Sequence, residues 1–128
     1  MKLFFSWINS PNGLTPFCES DLTNNDGVSA LSCLLMDDGG RNYLQTIPWI
    51  DEGISRLNLV VNGGSGLLSW DREAWGVKVE GGKAVIYSLI DEDYCEEIEV
   101  GGLCNALWAW RGFLRSTPDS YSLQEVEI

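Results

Sequence analysis

The sequence predicts an α+β fold built on a mainly antiparallel sheet, and three stretches carry that prediction. "EAWGVKVEGGKAVIYSLI" (73–90) places alternating apolar residues on both sides of a Gly-Gly pair, the pattern of a tight hairpin. "GGLCNALWAWRGFLRS" (101–116) spaces Leu103, Leu107, Trp110 and Leu114 along one helical face. "KLFFSWI" (2–8) is a short run rich in aromatic residues and reads as a buried first strand. A chain of 128 residues supports one core. A single domain over 1–128 is therefore expected, with one or two helices packed on the sheet.

The elements follow in order. "NSPNGLTPFCESDLTNNDG" (9–27) holds two prolines and two glycines among Asn, Asp and Ser, and reads as a long surface loop. "VSALSCLLM" (28–36) and "RNYLQTI" (41–47) flank "DDGG" and read as a second hairpin, with a short helix as the alternative for 28–36. "PWIDEGISRLNLVVNGG" (48–64) reads as a helix. Pro48 suits its first position and Asp51 and Glu52 suit its positive end. Ile50, Ile54, Leu57 and Val61 share a face, and Gly63-Gly64 ends it.

The 73–90 hairpin has a definite register if Gly81-Gly82 is its two-residue turn. Glu80 then faces Lys83, Val79 faces Ala84, Val77 faces Ile86, and Gly76 faces Tyr87, so charges, apolar groups and a glycine–aromatic pair all match. Its second strand is apolar on both faces, which implies a central position. "DYCEEIEV" (93–100) is a short strand with Ile98 and Val100 on one side and Glu97 and Glu99 on the other. In the 101–116 helix, Ala106 and Phe113 flank the apolar stripe, while Arg111 and Arg115 reach solvent near the negative end. "SYSLQEVEI" (120–128) reads as a last strand.

Composition excludes several functions. Eight bases against nineteen acids leave a net charge of −11, which repels nucleic acids and anionic membranes and attracts basic proteins. With no histidine, a Ser–His or Cys–His nucleophile pair cannot form within the chain. Cys18, Cys33, Cys95 and Cys104 form no C-x-x-C pair, so a zinc site is not expected; no other metal or cofactor is implied either. Four free thiols in a cytoplasmic protein are the expectation, since "MKLFFSWINS" is too short and broken for a signal peptide. No apolar run nears the ~20 residues that span a bilayer.

The sharpest feature is "IDEDYCEEIE" (90–99). Asp91, Glu92, Asp93, Glu96, Glu97 and Glu99 are six acids within nine residues, in a stretch from Ala84 to Trp110 without any Lys or Arg. Counted from Asp91, the EF-hand positions for Gly and Glu hold Glu96 and Gly102, so the calcium loop fails. Charges on an edge strand prevent edge-to-edge pairing, but two or three suffice for that. The excess points to a docking surface for a basic protein. Trp70 and Asp71 in "SWDRE" and Trp108 on the helix flank are the accompanying candidates, since an exposed Trp beside acids anchors interfaces. Trp7, Trp75 and Trp110 sit at inward-looking positions.

The order "SWDREAWGVKV", Gly-turn hairpin, "YSLIDEDYCEEIEV" and "ALWAWRGFL" resembles the small acidic immunity proteins of bacterial toxin–immunity systems, including contact-dependent growth inhibition. The likeness spans about a third of the chain, from Trp70 to Leu114. It implies a non-enzymatic cytoplasmic protein that binds one cognate toxin domain, often a basic nuclease, and covers its active site. Two alternatives stand beside it: an acidic nucleic-acid mimic directed at another DNA- or RNA-binding protein, and a small non-catalytic ligand-binding module.

Overall fold

The structure is a computed structural model and describes residues 1–63 and 67–128. Its first strand, β1 (Lys2–Ser10), buries Leu3, Phe5 and Trp7 on one face by simple alternation. A turn at Pro11-Asn12 returns the chain as β2 (Gly13–Ser20), with Gly13 at φ 108°, where a side chain would be strained. The 9–27 segment is therefore not one long loop. β2 lies at an edge of its sheet, where Pro16 is tolerated because no further strand needs its missing N–H.

The second expected hairpin is absent. Residues 28–36 form the helix α1 (Ala30–Met36), and 41–47 form a 3-10 turn (Tyr43–Thr46) leading into α2 (Ile47–Val61). The Ser29 side chain accepts the Ser32 N–H at 3.2 Å and starts α1. At the other end, Nη1 of the buried Arg72 donates to the Leu34 and Leu35 carbonyls at 2.7 and 2.9 Å. The Asp37 carboxylate accepts the Ala74 and Trp75 N–H groups at 2.7 and 3.1 Å. These partners lie nearly forty residues away, which local pattern cannot reveal.

α2 buries Ile50, Ile54 and Leu57 as expected, but Val61 is exposed because the last turn runs past the core. Asp51 and Glu52 lie beyond the first turn and act as ion-pair partners, Asp51 with Arg111 and Glu52 with Arg56 at 2.6 Å. Of the expected helix stop, Gly63 takes φ 87°, while Gly64 lies outside the described residues.

A second antiparallel sheet follows: β3 (Leu67–Asp71), β4 (Trp75–Glu80), β5 (Lys83–Ser88) and β6 (Cys95–Glu99), in that spatial order. The β4–β5 register is the expected one, pairing Glu80 with Lys83, Val79 with Ala84, Val77 with Ile86 and Gly76 with Tyr87. Gly81 and Gly82 both take positive φ, as the favoured hairpin turn requires. β5 is interior, which explains its apolar residues on both faces.

Helix α3 (Val100–Leu114) buries Leu103, Ala106, Leu107, Trp110, Phe113 and Leu114. Burial of each large apolar side chain here contributes about 1.5–3 kcal/mol. Arg115 is exposed, and Arg111 is half-buried against Asp51. α3 contacts β1 of the first sheet and β5 and β6 of the second, so it joins the two. Phe5 meets Trp110 edge-on at 5.0 Å, and Trp7 stacks on Phe113 at 4.8 Å. The last strand, β7 (Leu123–Glu127), pairs antiparallel with β1 and completes the order β2-β1-β7. Among the described residues the result is α+β: two antiparallel sheets sharing one core with three helices.

Candidate acidic docking surface

The register of the second sheet sorts its residues into two faces. Trp70, Val77, Val79, Ala84, Ile86, Glu96 and Ile98 share the inner face. Asp71, Lys78, Glu80, Lys83, Tyr87, Glu97 and Glu99 share the outer one. Of the expected site residues, Asp71, Glu97 and Glu99 thus do lie on one surface.

The loop 89–94 stands at the rim of that face, held by its own polar groups. The Leu89 N–H donates to the Ala74 carbonyl at 3.0 Å. Ser88 Oγ accepts the Ile90 and Asp91 N–H groups at 3.2 and 3.4 Å. Asp91 Oδ1 accepts the Asp93 N–H at 3.1 Å, and Tyr94 N–H donates to the Asp91 carbonyl at 3.0 Å. This fixed turn leaves Asp91, Glu92 and Asp93 exposed and lifts Ile90 to 92% exposure beside a partly exposed Leu89. Sequence reasoning missed that apolar tip, although an isoleucine directly before "DED" was its signal.

Four expectations are corrected. The acids are not all unanswered: the hairpin carries Lys78 beside Glu92, 3.6 Å apart, and Lys83 onto Glu99. The Glu99 hydrogen bond holds the Lys83 ammonium above its usual pKa. Such exposed pairs are screened by solvent and add little to stability, so they dilute the local charge more than they lock it. Among the described residues, Asp71, Glu80, Asp91, Asp93 and Glu97 have no ion-pair partner.

Glu96 is the second correction. Strand alternation turns it inward opposite Ile86, half-buried, where it accepts the Leu31 N–H at 3.3 Å. Burial raises its pKa although that hydrogen bond opposes the rise. It supports α1 and is not offered to a partner.

Trp70 is the third. It is 3% exposed and packs against Gly53 of α2. The pleat that points Asp71 outward must point Trp70 inward, so its polar neighbours do not make it exposed.

Trp108 is the last. It is 55% exposed, as an anchor would be, but it sits on the solvent stripe of α3, whose opposite side packs on the sheet's inner face. It therefore does not share the outer face with the carboxylates. Trp7 and Trp110 are buried and Trp75 is half-buried.

Tyr87 anchors the end of the outer face nearest the 89–94 loop. Its hydroxyl donates to Asp71 Oδ1 at 3.3 Å, and the Lys78 ammonium lies 4.8 Å from its ring centroid. Burial, with Asp71 next in effect, raises the phenol pKa. Tyr87 lies so close over Gly76 that a Cβ there would come within 2.9 Å of the ring.

Away from this face, a cleft of about 500 Å3 opens between β2 and α1. It touches Cys18, pushed up to about 11 by burial, and Cys33, raised by burial with help from Glu96 and Asp37. All four cysteines are free thiols. Among the described residues no group of three or more Cys, Asp or Glu side chains could hold a metal ion, and no helix is long and apolar enough to cross a membrane. Comparison with family models, with curated proteins and with solved structures finds no match to this chain.

Proposed function

We propose that this chain is a cytoplasmic immunity-type protein that binds a basic toxin domain and covers its active site, without catalysis of its own. The observation that carries the reading is the pinned 89–94 loop, where a fully exposed Ile90 stands among Asp91, Glu92 and Asp93 beside the acidic outer face. A preordered loop loses little conformational entropy on binding. An apolar tip supplies burial, while surrounding carboxylates match a cationic rim and speed encounter. A nuclease cleft is cationic because it must hold phosphates, and the net charge of −11 favours such a partner over any nucleic acid.

The Lys78 and Lys83 pairs break the acids into short groups, which fits a local plug better than an extended phosphate-like array. Co-expression with the product of the adjacent gene tests the proposal. A stable 1:1 complex with a basic domain, and growth restored in cells that the neighbour alone poisons, are expected. A neighbour that is harmless, or that remains toxic and unbound, overturns it.

A further inference from the structure

The cleft between β2 and α1 is lined by three sulfur-bearing residues. Cys18 reaches it from β2, and Cys33 and Met36 reach it from α1. Cys33 and Met36 are three residues apart, the spacing that sets two side chains side by side on a helix. Two contacts tie the walls together. The Cys18 amide donates to Met36 Sδ at 3.3 Å, and the Cys18 thiol donates to Ser32 Oγ, next in sequence to Cys33, at 3.5 Å. Packing as a small hydrophobe accounts for Cys18, which is 2% exposed. It does not account for Cys33 and Met36, which are only part-buried and line an open cleft of about 500 Å3.

We infer that this cleft binds a soft monovalent cation of the Cu(I)–Ag(I) class through Cys18, Cys33 and the Met36 thioether. Sulfur donors of this kind select soft ions, whereas magnesium and calcium seek oxygen. The two thiols release their protons to solvent as their sulfur lone pairs bond the ion. No electron moves, and the ion stays monovalent. Glu19 beside Cys18, and Asp37 and Glu96 beside Cys33, make the surroundings negative and draw a cation in. The donor set escapes a search of the sequence because Cys18 and Cys33 lie on different elements and the third donor is a methionine.

The test is an anaerobic titration of the reduced protein with Cu(I) held by a coloured chelator. The wild type should withdraw one equivalent. Cys33→Ser should lose that capacity, and Met36→Leu, which keeps the apolar volume, should weaken it at least tenfold. A Cys95→Ser, Cys104→Ser double variant should bind as the wild type does. Thermal melts identify any variant that fails to fold, and Met36→Leu decides if Cys33→Ser does. A wild type that takes no Cu(I), full binding in folded Cys33→Ser, or loss of binding in the Cys95, Cys104 variant overturns the assignment.

Discussion

Gly53, in the middle of α2, lies directly against the Trp70 indole: a Cβ at position 53 would come within 2.7 Å of the ring. A helical glycine normally costs about 1 kcal/mol relative to alanine. Here that cost secures close contact between helix and sheet. The methyl group of Gly53→Ala would have to displace a large ring that is 3% exposed. We expect Gly53→Ala to destabilise the protein by about 1–3 kcal/mol, the usual penalty for overpacking. Urea unfolding measures it, and a gain in stability would refute the contact.

Arg72 holds the end of α1 from the far side of the core. Its burial lowers its pKa to about 10 against the opposing pull of Asp37 and Asp38, yet its Nη1 serves two carbonyls. Arg72→Met should cost about 1–3 kcal/mol, the penalty for the Leu35 carbonyl that loses this donor. The Leu34 carbonyl keeps the Asp37 N–H at 3.4 Å, and losing the charge together with the unpartnered Nε and Nη2 returns part of the cost. The loss should show in the unfolding midpoint and in faster amide exchange across residues 30–36.

Glu96 gives a pH signature. Its folded-state pKa is raised, so the folded protein binds more protons than the unfolded chain just above the ordinary value of 4.5. Its contribution is fully present below that value and is lost as pH rises through the folded pKa. Glu96→Gln keeps an oxygen for the Leu31 N–H and removes the titration. It should flatten the fall in melting temperature over that window and leave the protein more stable at neutral pH.

Thiol titration in denaturant without reductant should count four reactive groups, from Cys18, Cys33, Cys95 and Cys104. Two or none would reveal disulfides and exclude the reduced form described here.

The same strand arithmetic that read the β4–β5 hairpin pair by pair could have read more. In β6, once Ile98 is placed inward, Glu96 must follow it, since side chains alternate. In β3, Trp70 and Asp71 are neighbours and cannot share a face. What local pattern could not supply were the long-range partners. α1 is held by Arg72 and, through Asp37, by the amides of Ala74 and Trp75. β2 looked like a loop because an edge strand tolerates Pro16 and exposed polar residues. The acidic stretch looked bare of bases because Lys78 and Lys83 reach it across the sheet rather than along the chain.

The most direct test of the docking surface is association kinetics with the adjacent gene's product across a range of salt. The variant to compare carries Asp71→Asn, Asp91→Asn, Asp93→Asn and Glu97→Gln, four acids without ion-pair partners among the described residues. The wild-type rate should fall as salt rises, because screening shortens the reach of exposed charges. The variant should associate slowly at every salt concentration and keep its melting temperature. A loss of ~1.5 kcal/mol at each of two positions would weaken its affinity by roughly 100-fold. Full-strength binding by the variant, with an unchanged salt dependence, would contradict the account and leave these carboxylates as a solvated face.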